Sequence, residues 1–121
     1  MDIYAAIMES MTIPAGGRGV VPTGFCIAVP GGYEAQVRPR SGLARDFGIT
    51  VANSPGTIDA DYRGEVQIIL INHGTADFLV QHGDRVAQLV IAPVAQAHFE
   101  VVAELSQTVR GGGGFGHTGR Q

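Results

Sequence analysis

Four stretches of this chain combine side chains and turn residues suited to phosphate or nucleoside chemistry. At Arg38, Pro39, Arg40, Ser41 and Gly42 a strand-like run ends and a short helical run opens. A serine hydroxyl, freed backbone N–H groups and the positive end of a helix dipole then meet in one place, which attracts anions. A capped surface helix with two solvated arginines has the same local sequence. Between Asn53 and Gly64 lie Asp59, Asp61 and Tyr62, an arrangement that reads as a hairpin carrying an amide, two carboxylates and an aromatic ring. A carboxylate there could serve as general base toward water, an effect worth about 10²–10⁴ in rate, with the tyrosine stacked on a sugar or base. A hydrophilic turn is the alternative, since turns favour Asn, Asp and Gly for conformational reasons alone.

The third stretch runs from Gly83 through Asp84 and Arg85 to Gln88, whose amide interrupts an otherwise apolar strand. A buried amide needs partners, so Gln88 serves either the fold or a ligand. The fourth is a glycine-rich arm holding Arg110, Phe115, Gly116, His117 and Thr118. Glycines allow backbone N–H groups to close around phosphates. The arm has no lysine and follows no strand-to-helix turn, which excludes a P-loop. A floppy tail is the alternative, although Phe115 and Arg110 have little use in one.

The elements that must position these groups are short. Runs rich in β-branched residues at 18–21, 25–29, 33–38, 49–52, 65–72, 78–81, 85–92 and 97–102 read as strands. Tyr33, Ala35 and Val37 alternate with Glu34, Gln36 and Arg38, the period of a half-buried strand. The run 66–71 is almost continuously apolar, as for a strand covered on both faces. Turns are expected at 16–17, 22–24, 30–32 and 81–84. One helical turn is expected over 41–47, with Ser41 as its N-cap. Many short strands at this spacing predict an all-β sandwich, jelly roll or barrel.

With 121 residues the chain makes one domain, since domains usually run to about 100–150 residues. The single cysteine, Cys26, rules out an intrachain disulfide and a cysteine-based zinc site, and reads as a small buried thiol on a strand. A net charge of −3 argues against a general nucleic-acid binder. All eight positive side chains are arginine, which a biased genomic base composition also produces, but whose rigid fork suits phosphate oxygens better than an ammonium does. No basic-plus-apolar leader opens the chain, and no apolar run approaches the roughly 18 residues of a membrane span. No membrane partner is therefore expected, and the expected location is cytoplasmic.

Taken in order, these segments resemble the motifs of the trimeric dUTPases (deoxyuridine 5'-triphosphate nucleotidohydrolases). Residues 38–44 are similar to the second motif, 56–65 to the third, 83–89 to the fourth and 110–119 to the fifth; Asp2, Ile3, Tyr4, Ala5 and Ala6 resemble the tail of the first. The resemblance implies a jelly-roll-like β domain over 1–109 and a mobile arm over 110–121 that closes a neighbouring active site. It implies hydrolysis of dUTP to dUMP and pyrophosphate, which lowers dUTP and supplies dUMP for thymidylate synthesis. Asp59 would deprotonate the water attacking the α-phosphorus, and Tyr62 would pack under the deoxyribose. Asn53 and the hairpin backbone at Gly56, Thr57 and Ile58 would read uracil, while Arg40, Ser41, Gly42 and Gln88 hold the triphosphate. Arg110, Gly116, His117 and Thr118 would close over the phosphates as Phe115 stacks on the base. Mg2+ would be held mainly by the phosphates and waters, with Asp2 reached through water. A homotrimer with sites shared between subunits is also implied.

Two departures from the family pattern accompany the resemblance. About a strand's worth of sequence precedes the first motif in the family, whereas this chain starts inside it, which implies an upstream start or a shortened form. Position 117 is His where many relatives carry Ser. Two other readings share the fold. One is a dCTP deaminase relative, but deamination needs a carboxylic acid near the pyrimidine and the run 67–72 has none. The other is a catalytically impaired, nucleotide-sensing or protein-binding module, since fold alone does not fix activity.

Overall fold

The computed structural model describes residues 1–114, and among these it holds nine strands and one helix. They are β1 (Asp2–Tyr4), β2 (Met11–Ile13), β3 (Arg18–Cys26), β4 (Tyr33–Arg38), α1 (Ser41–Phe47), β5 (Ile49–Val51), β6 (Gly56–Ile58), β7 (Glu65–Asn72), β8 (Phe78–Val80) and β9 (Arg85–Pro93). The strands form a four-stranded sheet in the order β1-β9-β4-β6, a three-stranded sheet β3-β7-β5 and the pair β2-β8. Every pairing is antiparallel. This is the expected all-β, jelly-roll-like architecture with one short helix. That helix is not long and apolar enough to cross a membrane.

Alternation along each strand supplies the core. Ile3, Val37 and Leu89 of the larger sheet, Val21, Val66, Ile68 and Leu70 of the smaller one, and Ile13 and Val80 of the pair are all buried in one cluster. In β7 only the face of Val66, Ile68, Leu70 and Asn72 is buried, while Ile69 and Ile71 are half-buried and Gln67 is exposed. The expectation of a strand covered on both faces is therefore corrected: the rule of two holds despite the apolar composition.

The helix keeps its expected bounds but not its expected cap. Arg40 occupies the N-cap with extended backbone and no side-chain cap bond, and Ser41 is the first helical residue. At the other end Gly48 takes a left-handed φ of 69°, and its N–H bonds back to the Ala44 and Leu43 carbonyls. A β-carbon on Gly48 would also strike the backbone of His73 and Gly74, so both conformation and space require glycine there.

Other expectations change for reasons of pairing. The turn expected at 22–24 is instead a register shift within the single long strand β3, so the separate strand at 25–29 does not form. The Glu65 carboxylate accepts the Thr23 and Gly24 N–H groups (3.2 and 2.8 Å), and Gly24 bends the chain at φ 72°. The run 97–102 is not a strand: Phe99 and Val101 are fully exposed and no neighbouring strand pairs with it among the described residues. Cys26, expected to be buried, is exposed at the end of β3.

Asn72 locks the end of β7. Fully buried, it donates to the Ile13 and Ala76 carbonyls (3.0 and 2.9 Å) and accepts from the Gly74 N–H (2.9 Å). Asn72→Ala strands all three groups, so it should cost roughly 2–4 kcal/mol. The measurement is the urea midpoint at fixed protein concentration; an unchanged midpoint would show that the 73–77 loop does not depend on this amide.

Candidate active site

The 53–64 stretch is more structured than a simple turn. After Asn53 the chain passes through a cis Ser54–Pro55 bond into β6, which pairs with β4 so that Gly56, Thr57 and Ile58 face Val37, Gln36 and Ala35. Ile58 is buried, and Asp59 leaves the strand exposed. The tip then closes on itself. The Tyr62 N–H donates to the Asp59 carbonyl (3.1 Å), and the Arg63 guanidinium donates to the carbonyls of Ala60 (2.8 Å) and Tyr62 (2.7 Å). The Tyr62 hydroxyl donates to the Glu65 carbonyl (2.9 Å), which ties the ring to the first residue of β7.

A cavity of about 280 Å³ opens beside this tip, lined among others by Thr57, Ile58, Asp59, Tyr62, Glu65 and Gln67. A recess of about 50 Å³ adjoins it, with Asn53, Gly56, Val37 and again Gln67 in its wall. Asp59 also borders a third cavity of about 340 Å³ with Tyr33, Glu34 and Gln96. Thus Asn53, Gly56, Thr57, Ile58, Asp59 and Tyr62 are brought together.

Gln67 and Glu65 were not foreseen as site residues. The signal for Gln67 was its isolation as the one amide inside the apolar run of β7; nothing in the local pattern marks Glu65. The Glu65 side chain is committed to the Thr23 and Gly24 amides, which leaves Asp59 as the acid of the cavity wall without that structural role.

A second group assembles where β1, β9 and β4 lie side by side. The ladders place Asp2 opposite Gln88, and Gln88 opposite Arg38. One Asp2 carboxylate oxygen faces the Gln88 amide (3.3 Å) and the Arg40 guanidinium (3.8 Å), and the other faces Arg85 (3.4 Å). Hydrogen bonding from Gln88 lowers the Asp2 carboxyl below its ordinary pKa; partial desolvation opposes this, and Arg85 and the charge of Arg40 reinforce it. Arg40 also donates to the Arg85 carbonyl (2.9 Å). Arg38 turns away, donating twice to Gln36 (3.2 and 2.7 Å). Gln88 is exposed, so its amide is no buried interruption of the strand and faces solvent beside Asp2. Arg85, which belongs to the 83–88 stretch but has no role assigned there, joins this group.

Ser41 and Gly42 stand exposed at the start of α1, next to Arg40. The two groups lie on one sheet, β1-β9-β4-β6, with the carboxylate–arginine group toward β1 and the hairpin at the β6 edge. Arg110 is exposed and its side chain donates to the Gly113 carbonyl (2.7 Å), apart from both groups. Phe115, Gly116, His117 and Thr118 lie outside the described residues. Among the described residues no group of three or more His, Cys, Asp or Glu side chains is arranged to hold a metal.

Known proteins with this sequence pattern and fold agree with one another. The dUTPase family model matches residues 1–119. The deoxyuridine 5'-triphosphate nucleotidohydrolase of Syntrophotalea carbinolica is 60% identical over 119 residues, covering 98% of this chain and 81% of that protein. The enzyme of that name from Desulfotalea psychrophila is likewise 60% identical over 119 residues, covering 98% of this chain and 79% of its own length. Among solved structures, the dUTPase of Staphylococcus bacteriophage 80alpha with dUPNHPP superposes with a TM-score of 0.86 at 25% identity, over 98% of this chain and 84% of that one. The motifs, the strand order and these matches place the chain in the dUTPase family.

Proposed function

We propose that the protein hydrolyses dUTP to dUMP and pyrophosphate, which keeps dUTP low and supplies dUMP for thymidylate synthesis. The observation that carries this reading is the hairpin tip: Asp59 and Tyr62 stand on the wall of one cavity, and the Asn53 recess adjoins it. Asp59 takes the proton from the water that attacks the α-phosphorus. Its exposure and its freedom from the structural duty of Glu65 suit a base that must meet solvent. Tyr62 underlies the deoxyribose and leaves no room for a 2′-hydroxyl. Asn53 and the backbone of Gly56, Thr57 and Ile58 read the uracil edge from the wall of the adjoining recess.

Arg40, Ser41, Gly42 and Gln88 bind the triphosphate. The first N–H groups of α1 precede its first intrahelical bond, from Ala44 to the Arg40 carbonyl, and so point free donors at an anion. Asp2 is the one carboxylate of this group, which suits an ion that keeps its waters and takes few protein ligands. Mg2+ would be held there by the phosphates and water, with Asp2 contacting it through water, and when bound it neutralises charge on the departing pyrophosphate.

Within one chain Asp2 and Gln88 stand on β1 and β9 and the nucleoside group on β6, with β4 between them. This separation supports a homotrimer in which one subunit supplies the hairpin and another the arginines and Gln88. The exposed Phe99, Val101, Leu105 and Val109 along the C-terminal segment favour the same assembly, since an isolated chain leaves them in water. Residues 110–121 act as an arm that closes over a site built by other subunits, with Arg110, Gly116, His117 and Thr118 on the phosphates and Phe115 on the base. The cell compartment that fits this reading is the cytoplasm.

Pyrophosphate release from dUTP, measured beside dTTP and UTP, tests the proposal as a whole; equal rates on all three would end it. Asp59→Asn should lower turnover by roughly 10²–10⁴ while dUpNHpp affinity is kept, and full turnover would remove Asp59 as the base. Tyr62→Ala should admit UTP, so continued rejection would assign the 2′-hydroxyl filter to another group. Deleting residues 110–121 should cut turnover and leave the sedimenting species unchanged. A shift to monomer on that deletion would make the arm a structural tie.

A further inference from the structure

The hairpin tip carries a glycine whose backbone does not need to be glycine. Gly64 is not among the residues with left-handed φ. What it lacks is room: a β-carbon built there would lie 2.5 Å from the Tyr62 hydroxyl oxygen, 2.7 Å from Cζ and 3.1 Å from Cε2. All three contacts are with the far end of one side chain. That end swings on its own torsions, so an added methyl displaces the ring and leaves the hairpin backbone in place. The displacement also breaks the bond from the Tyr62 hydroxyl to the Glu65 carbonyl, since that bond passes over Gly64.

The rest of the tip is anchored independently. Arg63 fastens the 60–62 backbone, and the Glu65 carboxylate fastens the start of β7 to β3. The Tyr62 ring is therefore the one part of the cavity wall here whose position depends on an absent side chain. The ring is 44% exposed, which leaves it a side toward solvent into which it can shift.

We infer that Gly64 is a specificity-determining position: by keeping its β-position vacant it sets the Tyr62 ring at the height that admits a deoxyribose and excludes a ribose. The inference rests on the reading of Tyr62 given above. It extends sugar discrimination from the residue that touches the sugar to one that does not, and Gly64 is a positioning residue.

The test is Gly64→Ala with kcat/KM measured for dUTP and for UTP. The ratio of the two is independent of the fraction of protein that is folded, so general destabilisation does not move it. The ratio should shift toward UTP by about ten-fold, part of what a small steric difference in a pocket supplies. In a Tyr62→Ala background the same substitution should leave the ratio unmoved, because the ring through which Gly64 acts is gone. If Gly64→Ala alone does not fold, the double variant must, since the three nearest contacts of the methyl are all with the tyrosine; failure of both overturns the inference. So does an unchanged ratio in the single variant, or an equal shift in both backgrounds. A wild-type protein without preference for dUTP over UTP sinks the parent reading instead, and this one with it.

Discussion

β4 is held on both sides, by β6 through the pairs Val37–Gly56 and Gln36–Thr57, and by β9 through the pairs Val37–Leu89 and Arg38–Gln88. Because successive side chains point to opposite faces, a slip of one residue on either side would turn a whole strand inside out. Ala35 and Val37 bury one face of β4 and forbid that slip. The same register then presents Gly56 to its recess and Gln88 to Asp2. The hydrophobic choice made at two small residues is what aligns an amide, a carboxylate and a hairpin more than a strand's width apart.

The charged group depends on this scaffold and contributes little to it. Its contacts, at 3.3–3.8 Å, involve partly exposed side chains, where solvent screening leaves ion pairs weak. Two guanidinium groups and one carboxylate leave the group a single positive charge in excess. The sheet supplies the positions and the charges supply a reason for an anion to come. In the hairpin the division is different, because there the backbone itself is fastened by Arg63, by the Tyr62 hydroxyl and by the Glu65 carboxylate. Ordering those groups in advance removes an entropic cost from the binding step.

Much of this was legible from the chain alone. The helix over 41–47 matches because Gly48 closes it with a left-handed turn, and the alternation of 33–38 and the long apolar run of 65–72 are signals that tertiary context rarely overrides. The three-residue strands β1 and β2 were not expected, since their pairing comes from distant partners, Gln88 and Val80 among them. Nor does any local pattern show that a carboxylate at position 65 would carry β3 past Pro22, Thr23 and Gly24 without a turn. The run 97–102 has the residue types of a strand and no partner among the described residues of its own chain. Within the site, the hairpin residues gather as their spacing suggested. Arg85 stands in the 83–88 stretch, but its salt bridge to Asp2 spans 83 positions of sequence, and spacing rules do not reach that far.

The hold on Arg40 is the main-chain oxygen of residue 85. A peptide carbonyl is present whatever amino acid the codon specifies, so genetic drift at that position cannot delete the anchor. It can only retune the charge around the neighbouring carboxylate. The molecule thereby separates a geometric requirement, written into the backbone and inherited unconditionally, from an electrostatic one that stays open to selection.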